Sequence, residues 1–214
     1  MVKIIYLLVT LALVVLLAEI LWHKKVIKGE SARKVVHIIS GSLIAFTPYF
    51  ITWSQVRIIC WLSVIFFLVI KKTRLIKSWY DISRLSLGEV LAPATILVLA
   101  YFEPANVVFA AACLHVALAD GFAALIGVRF GKSNTYKILS NSKSIAGTAT
   151  FFVVSVLIMM GVMIFGGVDI SISLAALLLA SASTTLVENL AFSSLDNTFI
   201  ILTVVGLFKV LNIA

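Results

Sequence analysis

The chain consists largely of apolar runs that are each about as long as a membrane-crossing helix. A helix needs roughly 20 apolar residues to cross the hydrocarbon core of a bilayer. The runs lie at about residues 4–22, 35–51, 54–70, 85–102, 105–127, 145–166, 170–190 and 195–213. They predict an all-α, polytopic integral membrane protein with about eight transmembrane helices and a single domain over residues 1–214.

The composition excludes an ordinary soluble domain. Hydrophobic residues make up 62% of the chain and charged residues 12%, whereas soluble domains contain about half and about a quarter. Lys3 before the first run resembles the start of a signal peptide, but the run ends in AEILWHKK without a small-residue cleavage site. This run is therefore also predicted to be a membrane helix. Cys60 and Cys113 lie inside apolar runs and indicate neither a disulfide framework nor a zinc site.

The basic residues are concentrated in three regions. They lie at residues 24–34, 71–84 and 129–143, which together hold all 17 lysines and arginines except Lys3, Arg57 and Lys209. Eight crossings place the three regions on one side, which the positive-inside bias predicts to be cytoplasmic, with both termini outside. The net charge of +8 is then mainly a topology signal. It does not require nucleic acid as a partner, and it is compatible with an anionic leaflet or an anionic substrate.

The first polar cluster precedes the second apolar run. Glu30, Arg33, Lys34 and His37 are spaced i, i+3, i+4 and i+7, which places them on one side of a helix entering the membrane. Charged groups near the membrane need a partner or a function. The structural alternative is a surface pair of Glu30 with Lys34, with His37 as a packed polar residue.

The second cluster begins with Asp120. Ala124, Gly127 and Gly131 follow it at i+4, i+7 and i+11 on one helix face. Close helix packing explains the two glycines, but it leaves the carboxylate without an explanation. His115, deeper in the same run, is predicted to be a hydrogen-bonded core residue.

The third cluster lies at the start of the sixth run. Lys143 and Ser144 precede this run, and Gly147 lies in its first turn. Free backbone N–H groups, a hydroxyl and an ammonium at a helix start suit a phosphate. The spacing is not that of a Walker A loop. The structural alternative is a helix cap with a nearby charge.

Three further acidic residues, Glu89, Glu188 and Asp196, are predicted metal ligands together with Asn197. Glu188 lies near the end of the seventh run, and Asp196 and Asn197 begin the eighth. Carboxylate and amide oxygens suit Mg²⁺, which binds a few carboxylates together with water and phosphate. The alternatives are that Asp196 caps the last helix and that Glu89, one turn before Pro93, is a favourable carboxylate at a helix N-terminus. Carboxylates and cations together suit phosphoryl transfer, which depends on positioning and charge stabilisation.

Five motifs in this order resemble the polyprenol kinase family. They are Glu-x2-Arg-Lys-x2-His at 30–37, Gly-Glu at 88–89, Asp-Gly-x-Ala-x3-Gly-x2-Phe-Gly-Lys at 120–132, Lys-Ser-x2-Gly-Thr at 143–148 and Glu-x7-Asp-Asn at 188–197. The family includes phytol, farnesol and dolichol kinases and a related diacylglycerol kinase that uses CTP. The resemblance implies transfer of the γ-phosphate of CTP, or of another nucleoside triphosphate, to a membrane lipid alcohol.

Two departures concern the acceptor. Ala119 stands where phytol kinases tend to have Gly, and Ala124 stands where they often have a second Asp.

The alternative chemistry is that of the similar CDP-lipid synthases, which carry a Lys-Asp pair and a late Asp-Arg-x2-Asp-Ser motif that this chain lacks. A transporter of an anionic lipid or metabolite is the alternative of another class. Such proteins typically place their sites near the midplane and often contain inverted repeats.

The resulting hypothesis gives each polar residue a role at the cytoplasmic ends of the helices. The predicted Mg²⁺ ligands are Asp120, Asp196, Asn197, Glu188 and Glu89. The predicted nucleotide-binding residues are Arg33, Lys34, Arg129, Lys132, Ser144 and Gly147. The predicted catalytic residues are Asp120, Lys143 and His37, where His37 or a carboxylate takes the hydroxyl proton.

Overall fold

Helices account for most of the described chain. The structure, a computed structural model, describes residues 2–26, 29–73, 88–138, 141–165, 174–191 and 195–211. The helices are α1 (Val2–His23), α2 (Gly29–Ala45), α3 (Trp53–Thr73), α4 (Gly88–Tyr101), α5 (Asn106–Leu114), α6 (Gly121–Phe130), α7 (Ile145–Phe165), α8 (Leu174–Leu190) and α9 (Asp196–Val210). A short 3₁₀ helix covers Thr47–Tyr49, and a π-helical segment, His115–Asp120, joins α5 to α6.

Each predicted apolar run contains a helix, but eight membrane crossings are not confirmed. Among the described residues, four helices are long and apolar enough to cross a membrane, namely α1, α3, Asn106–Phe130 and α7. Two further apolar helices, Val90–Tyr101 and Leu174–Leu190, are shorter. The mainly helical fold is therefore as predicted, and the four long helices indicate a membrane protein. Their length and composition leave the number of crossings as a prediction.

The continuous helix Asn106–Phe130, called here the central helix, lies in the middle of the bundle. Its most apolar stretch is 72% buried, compared with 11% for α1 and 22% for α3 and α7. Phe109 on this helix is fully buried with Phe151 of α7 and Phe208 of α9. Trp53 at the start of α3 meets the Phe109 ring edge-on, with 5.3 Å between the ring centroids. His115 and Asp120 of the central helix are therefore surrounded by other helices.

His115 is a hydrogen-bonded core residue, as predicted. It begins the π-helical segment and is fully buried. Its Nδ1 lies 2.8 Å from the carbonyl oxygen of Ala111, so Nδ1 carries the proton and donates it. Nε2 then accepts from the hydroxyl of Ser155 on α7 at 2.9 Å. This contact attaches the central helix to α7 just before the widened turn that leads to Asp120.

Contacts at one end of the bundle join segments that lack a basic cluster. Lys3 Nζ donates to the carbonyl oxygen of Phe50 at 3.2 Å, and Arg57 Nη1 donates to Glu103 Oε1 at 2.8 Å. The start of α1, the α2–α3 connection and the α4–α5 connection therefore meet at this end. Because the two ends of each helix lie at opposite ends of the bundle, the helix ends rich in basic residues lie at the other end.

A β-hairpin interrupts the helical fold between the central helix and α7. Strand β1 (Thr135–Ile138) pairs antiparallel with β2 (Asn141–Ser144). The sequence predicts only a basic connection between helices here, without strands. Tyr136 is paired with Lys143 in the ladder. The hairpin therefore holds residues 135–138 against residues 141–144.

The close packing predicted for the glycines of α6 is present. A Cβ atom on Gly127 would lie 3.0 Å from Ser144 Oγ, and one on Gly147 would lie 3.0 Å from the carbonyl oxygen of Ala123. A Cβ on Gly131, which follows α6, would collide with the Ser144 side chain. The small residues after Asp120 therefore allow the start of α7 to lie directly against the central helix.

Candidate functional site

A buried ion pair joins α2 to the central helix. Lys34 Nζ donates to Asp120 Oδ2 at 2.6 Å, and the two side chains are 14% and 9% exposed. The carboxylate lies at the end of the π-helical segment, where α2 crosses the central helix. Lys34 thus neutralises an acid that the membrane would otherwise penalise. The side chain of Glu30, the alternative partner of Lys34, lies outside the described part of the structure.

His37 lies beside this ion pair, one turn after Lys34 on α2. Its Nε2 is 2.9 Å from the carbonyl oxygen of Val116 and 3.9 Å from Asp120 Oδ2. A carbonyl oxygen only accepts, so Nε2 holds the proton and donates it to Val116. In this arrangement a proton taken up by His37 must go to Nδ1. The contact with Val116 also links α2 to the π-helical segment.

A second ion pair joins the hairpin to α8. The Lys143 ammonium donates to Glu188 Oε1, and it also lies 3.3 Å from the backbone carbonyl oxygen of Glu188. The Glu188 side chain is only 6% exposed and that of Lys143 is 21% exposed. Glu188, predicted to be a metal ligand, is therefore the counterion of Lys143 in this structure. The two ion pairs interact with each other, because the charge of Asp120 acts on Glu188.

Ser144 and Gly147 form the start of α7. Ser144 Oγ accepts a hydrogen bond from the backbone N–H of Gly147 at 3.1 Å, which is the geometry of a helix N-cap. One backbone donor of this helix start is thus already occupied. The capping interpretation of Ser144 agrees with the structure, and its predicted contact with nucleotide stays a prediction.

Asp196 and Asn197 lie at the start of α9. Asp196 Oδ1 accepts from the backbone N–H of Asn197 at 2.9 Å. Asp196 also interacts electrostatically with Asp120, Lys34 and Lys143. The Asn197 Oδ1 atom is buried and has no hydrogen-bond partner among the described residues. A buried amide oxygen without a donor is costly, so this atom is suited to a further ligand.

The donor set fits Mg²⁺ in part. Asp120, Asp196 and the unpartnered oxygen of Asn197 supply two carboxylates and an amide, and Mg²⁺ is commonly held by one or two carboxylates together with substrate phosphates. Within the described residues, no group of three or more His, Cys, Asp or Glu side chains is arranged to hold a metal ion. The protein's own ligands would therefore need phosphate oxygens to complete the coordination. The Glu89 side chain lies outside the described part.

Arg33 belongs to the same region, whereas two other predicted cations are more peripheral. Arg33 is half-buried, and its charge acts on His37. Arg129 is exposed in the last turn of α6 with its guanidinium 5.2 Å from the centre of the Phe130 ring. Lys132 is exposed just after α6. No hydrogen bond or ion pair joins Arg129 or Lys132 to the acidic groups within the described ranges.

Sequence reasoning missed a polar network beside the second ion pair. The Tyr136 hydroxyl donates to Asn189 Oδ1 at 2.7 Å and also contacts the hydroxyl of Thr148. Thr148 Oγ1 lies 3.1 Å from the same Asn189 oxygen. Asn189 Nδ2 donates to the carbonyl oxygen of Thr185 at 3.1 Å, which fixes the orientation of the amide. The only sequence signal was the position of Asn189 directly after Glu188.

The structure therefore gathers cations and carboxylates from sequence-distant elements around one site. The site, called here the ion-pair site, comprises Lys34, Asp120, Lys143, Glu188 and Asp196. No protein-family model, curated protein or solved structure matches the chain. The chemistry of the site is therefore argued from its own residues and from the motif resemblance.

Proposed function

We propose that this protein is a CTP-dependent lipid-alcohol kinase of the membrane. One observation carries the proposal: two part-buried lysines, each paired with a carboxylate, lie in one electrostatic neighbourhood with a further acid, Asp196. A purely structural role would account for each pair, but it would not account for Asp196, which makes no ion pair within the described ranges. Cations that can exchange a carboxylate for a phosphate, next to acids that suit a metal, are what phosphoryl transfer requires.

The substrates follow from the motif resemblance and from the location of the site. CTP or another nucleoside triphosphate is the donor that the resemblance implies. The acceptor is a lipid alcohol of the isoprenoid type, such as phytol, farnesol, geranylgeraniol or dolichol, or else diacylglycerol. Its hydroxyl group reaches the ion-pair site while its tail lies among the apolar helices, so the lipid enters laterally from the membrane.

The lysines bind and orient the triphosphate. Lys143 and Lys34 donate to phosphate oxygens, with Arg33 nearby and Arg129 and Lys132 at the exposed margin. Mg²⁺ held by Asp120, Asp196 and Asn197 would neutralise charge on the phosphates. The acceptor oxygen forms a bond to the γ-phosphorus, the bond from that phosphorus to the bridging oxygen breaks, and the nucleoside diphosphate leaves.

The hydroxyl proton goes to a group of this site. Glu188 becomes available as a base when Lys143 moves to phosphate, and it lies next to the exposed hairpin. His37 can take the proton only at Nδ1, because its Nε2 donates to Val116. The site is proposed to face the cytoplasm, where nucleotide is present, with both termini outside.

The test is phosphate transfer by purified protein in lipid nanodiscs supplied with Mg²⁺ and a panel of lipid alcohols and lipid phosphates. CTP labelled at the γ-phosphate should label the lipid, whereas CTP labelled at the α-phosphate should not. Label from the α-phosphate would show cytidylyl transfer, and label from neither position would refute the kinase and leave transport as the alternative.

Lys143→Ala should lower this activity at least about 100-fold, or roughly 2.7 kcal/mol. The reason is that a contact to the transferring phosphate strengthens as charge develops. Lys137→Ala is the matched control, because Lys137 is exposed on the same hairpin. Near-normal kinetics for Lys143→Ala would reduce Lys143 to a structural partner of Glu188.

A further inference from the structure

The hairpin presents Tyr136 and Lys143 to the same helix. The two residues are direct partners in the antiparallel ladder, and side chains of directly opposed residues project from the same face of a β-ladder. Tyr136 reaches Asn189 and Lys143 reaches Glu188. The hairpin therefore contacts consecutive residues of α8 with neighbouring side chains.

The Tyr136 hydroxyl contacts side chains on two different helices. Its hydroxyl lies within hydrogen-bond distance of Asn189 Oδ1 and Thr148 Oγ1. Asn189 is 7% exposed and is itself held by Thr185. The network connects the hairpin to α7 through Thr148 and to α8 through Asn189, so the phenol is attached to two helices at once.

Lys143 needs such an attachment. An isolated two-stranded hairpin is at best marginally stable in water, and this one has four residues in each strand. The lysine side chain is a flexible four-carbon stem with a point charge. Without a fixed backbone, the ammonium would sample many positions around the ion-pair site.

We infer that Tyr136 is a positioning residue, which through Asn189 and Thr148 holds the hairpin so that Lys143 reaches the transferring phosphate. This inference rests on the proposed kinase function. Tyr136 itself touches no substrate in this scheme. Its role is to fix the position of Lys143, and misplacement of a catalytic group by about 1 Å costs about 100-fold in rate.

The test uses Tyr136→Phe, which removes only the hydroxyl. The substitution should lower kcat about 10-fold with a smaller change in the KM for CTP, because the lysine remains but is less well oriented. Tyr49→Phe is the control, since Tyr49 is half exposed at the end of the bundle where no hairpin lies. In the Lys143→Ala background, Tyr136→Phe should have little further effect, because its target is gone. An undiminished 10-fold fall in that background would overturn the inference.

A second measurement does not depend on activity. Hydrogen–deuterium exchange of the backbone amides of 135–138 and 141–144 should be faster in Tyr136→Phe than in the wild type or Tyr49→Phe. Unchanged exchange would overturn the anchoring role even if the protein is a kinase. Faster exchange in a protein that phosphorylates no lipid alcohol would instead refute the proposed function and leave the anchoring contact established.

Discussion

Removal of Lys34 should destabilise the protein, because it leaves the Asp120 carboxylate unpaired inside the bundle. Lys34→Met keeps much of the aliphatic stem but leaves Asp120 without its ammonium. The carboxylate is 9% exposed, so water cannot replace the lost partner. His37, whose Nε2 is engaged with Val116, lies 3.9 Å away, and the charge of Lys143 also acts on the carboxylate.

The expected loss of stability is about 3 kcal/mol. Breaking a buried ion pair by removing one partner typically costs about 3–5 kcal/mol, and the lower end applies because the pair is slightly exposed and His37 is near. A loss of 3 kcal/mol lowers the ratio of folded to unfolded protein about 150-fold. The double variant Lys34→Met with Asp120→Asn removes both charges and should lose less than about 1 kcal/mol, since replacing a buried pair by neutral groups is often nearly neutral.

The measurement is the free energy of unfolding in mixed micelles with increasing SDS. Lys72→Met, at the exposed end of α3, serves as the control and should change stability by less than about 0.5 kcal/mol. If the double variant is as unstable as the two single variants added together, Lys34 and Asp120 do not interact and the central contact of the site is wrong.

Two further predictions concern function and topology. The double variant Lys34→Met with Asp120→Asn should remain inactive in lipid phosphorylation although its stability returns, because both groups bind substrate or metal; recovered turnover would make the pair purely structural. In a background lacking Cys60 and Cys113, cysteines introduced at Ser133 and Asn106 should be labelled by an impermeant reagent from opposite sides of the membrane; labelling of both from one side would refute the proposed topology.

The sequence predicted the helices well because their signal is local. Each apolar run is long relative to its connections, and a helix satisfies its own backbone groups without any distant partner. Whether each helix crosses the membrane is harder to predict from sequence, because α4 and α8 are apolar but short. The hairpin was missed because its strands have only four residues each, too few for alternation to stand out from a polar loop.

The site residues were found in part, but their partners were not. Asp120, Lys143 and Glu188 stood out as charges within or beside apolar runs. Their pairing depends on which helices are neighbours: Lys34 is 86 residues from Asp120 and Lys143 is 45 residues from Glu188. No spacing rule covers such distances. No sequence pattern marks Tyr136, since a single tyrosine in a polar segment has no distinguishing spacing.

The π-helical segment constrains which changes of length the chain can accept. His115 is held by Ser155 before the widened turn, and Asp120 is held by Lys34 after it. Deleting one residue between them would allow a regular α-helix, but it would rotate one half of the central helix against the other by about 100° and shift it by about 1.5 Å. Both contacts could not then form together.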